Sequence, residues 1–142
     1  MKKMSHCVFI LACVLFLSFE LYAQDNLWAD ISTKDWENFR LSNVRFSNGA
    51  REITGYLVDM AGNNTTSMSV RLDKIQEISF ASFDGNRWNM YKWCVTIYLK
   101  EGRGFFTFRP SNLSGVTIIG DTDIGSTRIA IEKVSHIRFF QQ

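Results

Sequence analysis

Residues 70–80 read VRLDKIQEISF, and residues 129–139 read IAIEKVSHIRF. Set 59 positions apart, Lys74, Ile78 and Phe80 meet identical partners in Lys133, Ile137 and Phe139. Val70, Leu72 and Ile75 meet Ile129, Ile131 and Val134, and Asp73 meets Glu132. Apolar residues at alternate positions on either side of an acidic-Lys step predict a strand, one tight turn and a second strand. Ile78/Phe80 and Ile137/Phe139 would then point inward.

The pattern extends upstream at a spacing of 53. Val44 and Phe46 meet Ile97 and Leu99, Gly49 meets Gly102, and Gly62 meets Gly115. The change of spacing puts six extra residues in the second stretch, near Asp121–Ser126, where a loop tolerates insertion. The expectation is two copies of one β module, about 41–82 and 94–140, forming a β domain over 41–140. Between these segments the chain is punctuated by Asn48-Gly49, Gly62-Asn63-Asn64, Asp84-Gly85-Asn86 and Glu101-Gly102, and its only proline is Pro110. The fold class is therefore all-β, with about eight or nine strands arranged as small barrels or a sandwich. Residues 24–40 form an N-terminal segment. Within it, Ser32 and Thr33 precede Asp35 and Glu37, which predicts a short helix over 32–40 with Trp36 and Phe39 inward.

This order of elements, closing on I-x-hydrophobic-acidic-x-I-x-x-I-x-F, resembles duplicated small β-barrel modules of the SH3 or Sm type in secreted bacterial proteins. The proline such modules usually carry near the closing strand is absent, and Arg71 and Ala130 stand there. The resemblance implies a barrel-like fold and no particular activity.

The chain begins with Lys2 and Lys3, then an apolar run from Cys7 to Phe19, then Ala23. That is the pattern of a secretory signal peptide over 1–23, too short to span a bilayer, so the expected location is exported, periplasmic or secreted. Its removal takes two of 16 basic and one of 14 acidic residues, leaving 14 and 13. A nearly neutral chain argues against nucleic acid as a partner. Cys7 and Cys13 leave with the signal, so Cys94 remains alone without an internal disulfide partner and reads as a small buried residue.

Chemistry-bearing residues are sparse. A catalytic triad or a Cys–His pair would have to bring Cys94 beside His136, the one histidine after the signal. Asp121 and Asp123 with Gly125 form a D-x-D-x-G fragment that could hold Ca²⁺, although the distal Glu of a full calcium loop is missing. No other cofactor is indicated. Trp88, Tyr91 and Trp93 follow a turn, and Trp88 is out of phase with Trp93, which makes it the best candidate for an exposed aromatic. These features point to a non-enzymatic binding or structural module of the cell envelope, with another envelope or secreted protein as partner. One alternative is a carbohydrate-binding module that stacks a glycan on Trp88, Tyr91 and Trp93. The other is a small hydrolase using Asp121, Asp123 or His136.

Overall fold

The computed structural model describes residues 27–85, 88, 90–102 and 104–141, so the expected signal segment lies outside the described residues. The described chain is all-β. Its strands are β1 (Trp28–Thr33), β2 (Asn38–Phe46), β3 (Glu52–Val58), β4 (Asn64–Arg71), β5 (Ile75–Ser82), β6 (Cys94–Leu99), β7 (Phe105–Pro110), β8 (Thr117–Thr122), β9 (Gly125–Ala130) and β10 (Val134–Phe140). They form one continuous antiparallel sheet in the order β4-β3-β7-β6-β5-β10-β1-β2-β8-β9. Among the described residues, no helix is long and apolar enough to cross a membrane.

Ten strands form where eight or nine were expected because the predicted helix over 32–40 is replaced by the β1–β2 hairpin. Thr33 does act like a cap, accepting the Glu37 amide on Oγ1 at 3.1 Å, but that bond closes a turn. Trp36 sits at φ +66°, a left-handed conformation that no helix interior accepts. It is 91 % exposed rather than inward. Ala29 and Ile31, both buried, are matched across the sheet with Leu41 and Phe39 on one side and Phe139 and Ile137 on the other. This long-range pairing overrides the local helix signal.

The stretches 70–80 and 129–139 adopt the same conformation. Each runs from a strand into a three-residue 3-10 turn, Leu72–Lys74 or Ile131–Lys133, and out into the next strand. The flanking dihedrals agree: Arg71 at −68°, 139° and Ala130 at −64°, 135°; Ile75 at −90°, 131° and Val134 at −80°, 137°. Leu72 N–H donates to Arg51 O at 3.0 Å, and Ile131 N–H donates to Val116 O at 2.9 Å.

The strand order has a symmetry. Exchanging β1–β5 with β6–β10 returns the same order read backwards. The centre is the β5–β10 seam, where Ile78 faces Ile137. The block β4-β3-β7-β6-β5 is continuous in sequence, residues 52–110, whereas β10-β1-β2-β8-β9 is assembled from both ends of the described chain.

This pairing corrects the upstream spacing. Ile31 faces Phe39 and Ile137, just as Ile97 faces Phe106 and Ile78. Ile97 on β6 therefore corresponds in position to Ile31, not to Val44, which lies on β2. Gly55 and Gly120 also correspond, and Gly55 to Val70 is six residues longer than Gly120 to Ile129. The extra residues thus lie in the β3–β4 turn. The expected insertion near Asp121–Ser126 is absent, since β8 and β9 are joined tightly with Thr122 paired to Gly125.

One hydrophobic cluster runs through both halves and includes fully buried Ile31, Leu41, Phe46, Ile53, Ile78, Phe80, Ile97, Phe108, Ile118 and Ile137. Alternation along each strand sends the intervening polar residues outward.

Candidate functional site

Two segments meet at one end of the sheet. One is the long β3–β4 turn, residues 59–63, where the symmetry of the sheet breaks. The other is the β5–β6 connection, of which residues 83–85, 88 and 90–93 are described. Gly62 is packed so closely on the second segment that an added Cβ would lie 2.6 Å from Met90 O. Tyr91 Oη donates to Met60 O at 3.1 Å.

Each segment is shaped locally before it docks. Asp59 Oδ1 accepts the amides of Ala61 and Asn63, both at 2.9 Å, and Gly62 takes the positive φ of +83° that the turn requires. The Asn63 amide above all, helped by the Asn63 side chain and the amides of Ala61 and Gly62, holds the Asp59 carboxyl below its ordinary pKa against the opposing effect of desolvation. In the second segment Trp93 adopts φ +57° and packs edge-on against Phe83, with centroids 5.2 Å apart. Phe83 in turn meets core Phe80 edge-on at 5.7 Å. Gly85 lies against the Trp93 ring, where a Cβ would come within 2.3 Å of it.

Arg109, at the end of β7, ties the two segments together. Its Nε donates to Lys92 O at 3.1 Å, and its Nη2 donates to Gly62 O and Met90 O, each at 3.2 Å. Its Nη1 donates to the side-chain oxygen of Asn64, the first residue of β4. A planar guanidinium with donors in a fixed fork suits this set of convergent acceptors, and a lysine ammonium does not reproduce it. Arg109→Ala is expected to cost about 1.5–3 kcal/mol, the range for hydrogen bonds to a charged group, and Arg109→Lys should recover little of it. Urea denaturation of both variants checks this, and a loss below about 0.5 kcal/mol would show that the fork is not holding the segments.

The two fastened segments form a pole that carries exposed apolar side chains. Met60 is 93 % exposed, Trp88 84 % and Met90 57 %, with the half-exposed Trp93 beside them. Of the three aromatics singled out from the sequence, Trp88 projects into solvent, Tyr91 ties the segments together and Trp93 anchors the connection. Met60, Met90, Asp59 and Arg109 were missed. The Asp59–Gly62 turn has a readable signature, but the role of Arg109 rests on main-chain carbonyls that no residue type announces.

The other candidates are dispersed. Cys94 is buried on β6, whereas His136 is half-exposed on β10 beyond β5, so the two are not brought together. Burial pushes the Cys94 thiol upward, while the nearby Arg109 guanidinium pulls it down to a lesser extent. Asp121, on β8, accepts the Asn43 amide at 3.0 Å, and Asp123 lies in the adjoining turn. Both are separated from His136 by β2 and β1. Among the described residues, no group of three or more His, Cys, Asp or Glu side chains could hold a metal ion.

The exposed face over the seam carries an ionic row. Arg40 pairs with Asp30 through Nε at 2.8 Å and Nη2 at 2.9 Å, and Arg138 Nη2 pairs with Glu77 at 3.2 Å. His136 Nε2 lies 4.0 Å from Glu77. The hydrogen bond and charge of Arg40 hold the Asp30 carboxyl below its ordinary pKa, against a smaller cost of burial. The stabilisation is present above the ordinary carboxylate range and fades as pH falls through the lowered value. In so exposed a pair, solvent screening leaves little of it. Its oppositely charged members satisfy one another, so this face reads as solvated surface. No protein-family model, curated protein or solved structure significantly matches this chain, so what it does has to be read from the pole itself.

Proposed function

We propose that this protein is an exported, non-enzymatic binding module, built from two copies of a five-strand β unit of the small-barrel type, that grips an apolar segment of another protein at the Met60–Trp88–Met90 pole. Matching turns and pairings on either side of the β5–β10 seam support the duplication. The pole is where the copies differ, which is where function grafted onto a duplicated scaffold belongs.

The carrying observation is that exposed Trp88, Met60 and Met90 stand on two segments fastened by Arg109. Segments already fastened to one another lose little backbone entropy when covered, and Trp and Met are enriched where proteins meet. Methionine's flexible thioether adapts to irregular apolar partners. A glycan platform remains the second reading, favoured by the exposure of Trp88, but flanking methionines offer no hydrogen bonds to sugar hydroxyls.

Trp88→Ala should abolish capture of the binding partner in cross-linked pull-downs from the native envelope and leave the melting temperature within about 2 °C. Trp36→Ala, which removes a comparably exposed tryptophan from the β1–β2 turn, should leave capture intact. Equal capture by both variants would sink the reading. Glycan-dependent quenching of tryptophan fluorescence that is lost in Trp88→Ala would replace it with the carbohydrate one.

A further inference from the structure

Among the described residues, the sheet ends in two edge strands, β4 and β9. They hold corresponding positions, but they are not equally guarded. Val70 corresponds to Ile129, so Ser69 stands where β9 carries Arg128, and Ser67 where β9 carries Ser126. A charged side chain on an edge strand is a usual defence against edge-to-edge pairing. β9 has one. β4 is two residues longer and carries no charge from Asn64 to Val70, and six of its eight residues are exposed.

The direction of its main-chain groups follows from the hydrogen bonds of β3. Thr54 N–H donates to Asn112 Oδ1, Thr54 O accepts from Ser111 N–H, and Glu52 O accepts from the Asn112 amide. Even-numbered residues of β3 thus turn their backbone toward β7, and odd-numbered ones toward β4. Arg51 O, which accepts from Leu72 N–H, agrees with that alternation. Thr54 and Tyr56 lie opposite Ser69 and Ser67. In an antiparallel ladder such pairs are the non-bonded ones, so Ser67 and Ser69 direct N–H and C=O away from the sheet.

We propose that β4 is a self-association edge, pairing antiparallel with β4 of a second copy of this chain about a two-fold axis at Met68. In that register Ser67 meets Ser69 of the second copy, and Ser69 meets Ser67. Both pairs join outward-facing residues, giving about four main-chain hydrogen bonds. Met68 meets its own copy, and Thr66 meets Val70. No like charges oppose one another: Arg71, the charge on β4, meets Thr65 of the second copy and is itself bound to Asp73 at 2.8 and 3.0 Å. The chain already uses this geometry internally: β5 and β10 join antiparallel at the seam with Ile78 facing Ile137. A contact made of one strand pair falls below the usual area of permanent interfaces, so the dimer is weak and depends on concentration.

Sedimentation velocity of the purified protein over about 10 µM to 1 mM should show a monomer–dimer equilibrium. Ser69→Lys should shift it to monomer with an unchanged melting temperature. Ser126→Lys, on β9, should leave the dimer intact. In the unsubstituted protein, amide exchange at Ser67 and Ser69 should slow as concentration rises, a reading that needs no variant to fold. A protein that stays monomeric at about 1 mM, a dimer that survives Ser69→Lys, or exchange at Ser67 and Ser69 that ignores concentration would each overturn the proposal. Trp88→Ala should not affect dimerisation, so this test and that of the pole fail separately.

Discussion

Gly55→Ala should destabilise the protein far more than Gly120→Ala, although the two glycines occupy corresponding places in the sheet. Gly55 on β3 faces Pro110 on β7. A Cβ there would lie 2.1 Å from Arg109 O, 2.8 Å from Pro110 Cα and 2.9 Å from Arg109 C. All three are backbone atoms, so no side-chain rotation relieves the contact and β3 and β7 have to part. At Gly120 the nearest atoms are Leu41 Cβ at 2.7 Å and Cδ1 at 3.0 Å, with Ser42 O at 3.1 Å. Leu41 is fully buried and its Cβ is carried by the backbone, so β2 must also give, but by less than the 2.1 Å approach at Gly55 demands. Gly120→Ala therefore falls within the usual overpacking cost of about 1–3 kcal/mol, and Gly55→Ala exceeds it. The gain from a stiffer unfolded chain, about 0.4–1 kcal/mol, rescues neither. Against a total stability of about 5–15 kcal/mol, the Gly55 change removes much of the margin. Urea denaturation of both variants is the measurement, and equal costs would show that β3 and β7 are not so closely joined. Because Arg109 lies in the displaced stretch of β7, Gly55→Ala should also loosen the pole in the molecules that remain folded.

Much of the fold could be read from residue pattern, and the failures have a common physical origin. The all-β class and the strand–turn–strand units at 70–80 and 129–139 follow from local alternation and turn chemistry, and Ile78, Phe80, Ile137 and Phe139 are buried as that alternation predicts, whereas Trp36, expected inward, is exposed. The β1–β2 hairpin was misread because Thr33 makes the same side-chain bond at a tight turn as it would at a helix start. The upstream spacing went wrong because strands repeat every two residues, so many shifts align apolar positions equally well. Val44 and Phe46 fit Ile97 and Leu99 in pattern, yet position in the sheet matches Ile97 with Ile31. Pairing between distant strands decides that, and local sequence does not carry it. At the pole, Trp88 was legible from its place after a turn. Arg109 was not, because three of its four acceptors are main-chain carbonyls.

Ile78→Ala and Ile137→Ala should each cost about 2–5 kcal/mol, and the double variant should depart from the sum of the two by about 0.5–3 kcal/mol. Both residues are fully buried and face one another across the seam. Opposite residues in an antiparallel pair lie within side-chain contact, so truncating the first changes the cavity left by the second. The seam also decides how the protein unfolds. β10-β1-β2-β8-β9 draws strands from both ends of the described chain, while β4-β3-β7-β6-β5 fills the sequence between them. The outer block cannot close unless the inner one holds β2 and β8 at the right separation, and one hydrophobic cluster runs through both. Each single variant should therefore lower one cooperative transition rather than split it in two, with fluorescence and circular dichroism moving together. Two separated transitions, or additive costs in the double variant, would mean that the halves fold as independent units and merely touch at β5 and β10. One transition with coupled costs would mean that the braced pole near β5 draws its rigidity from both halves of the chain.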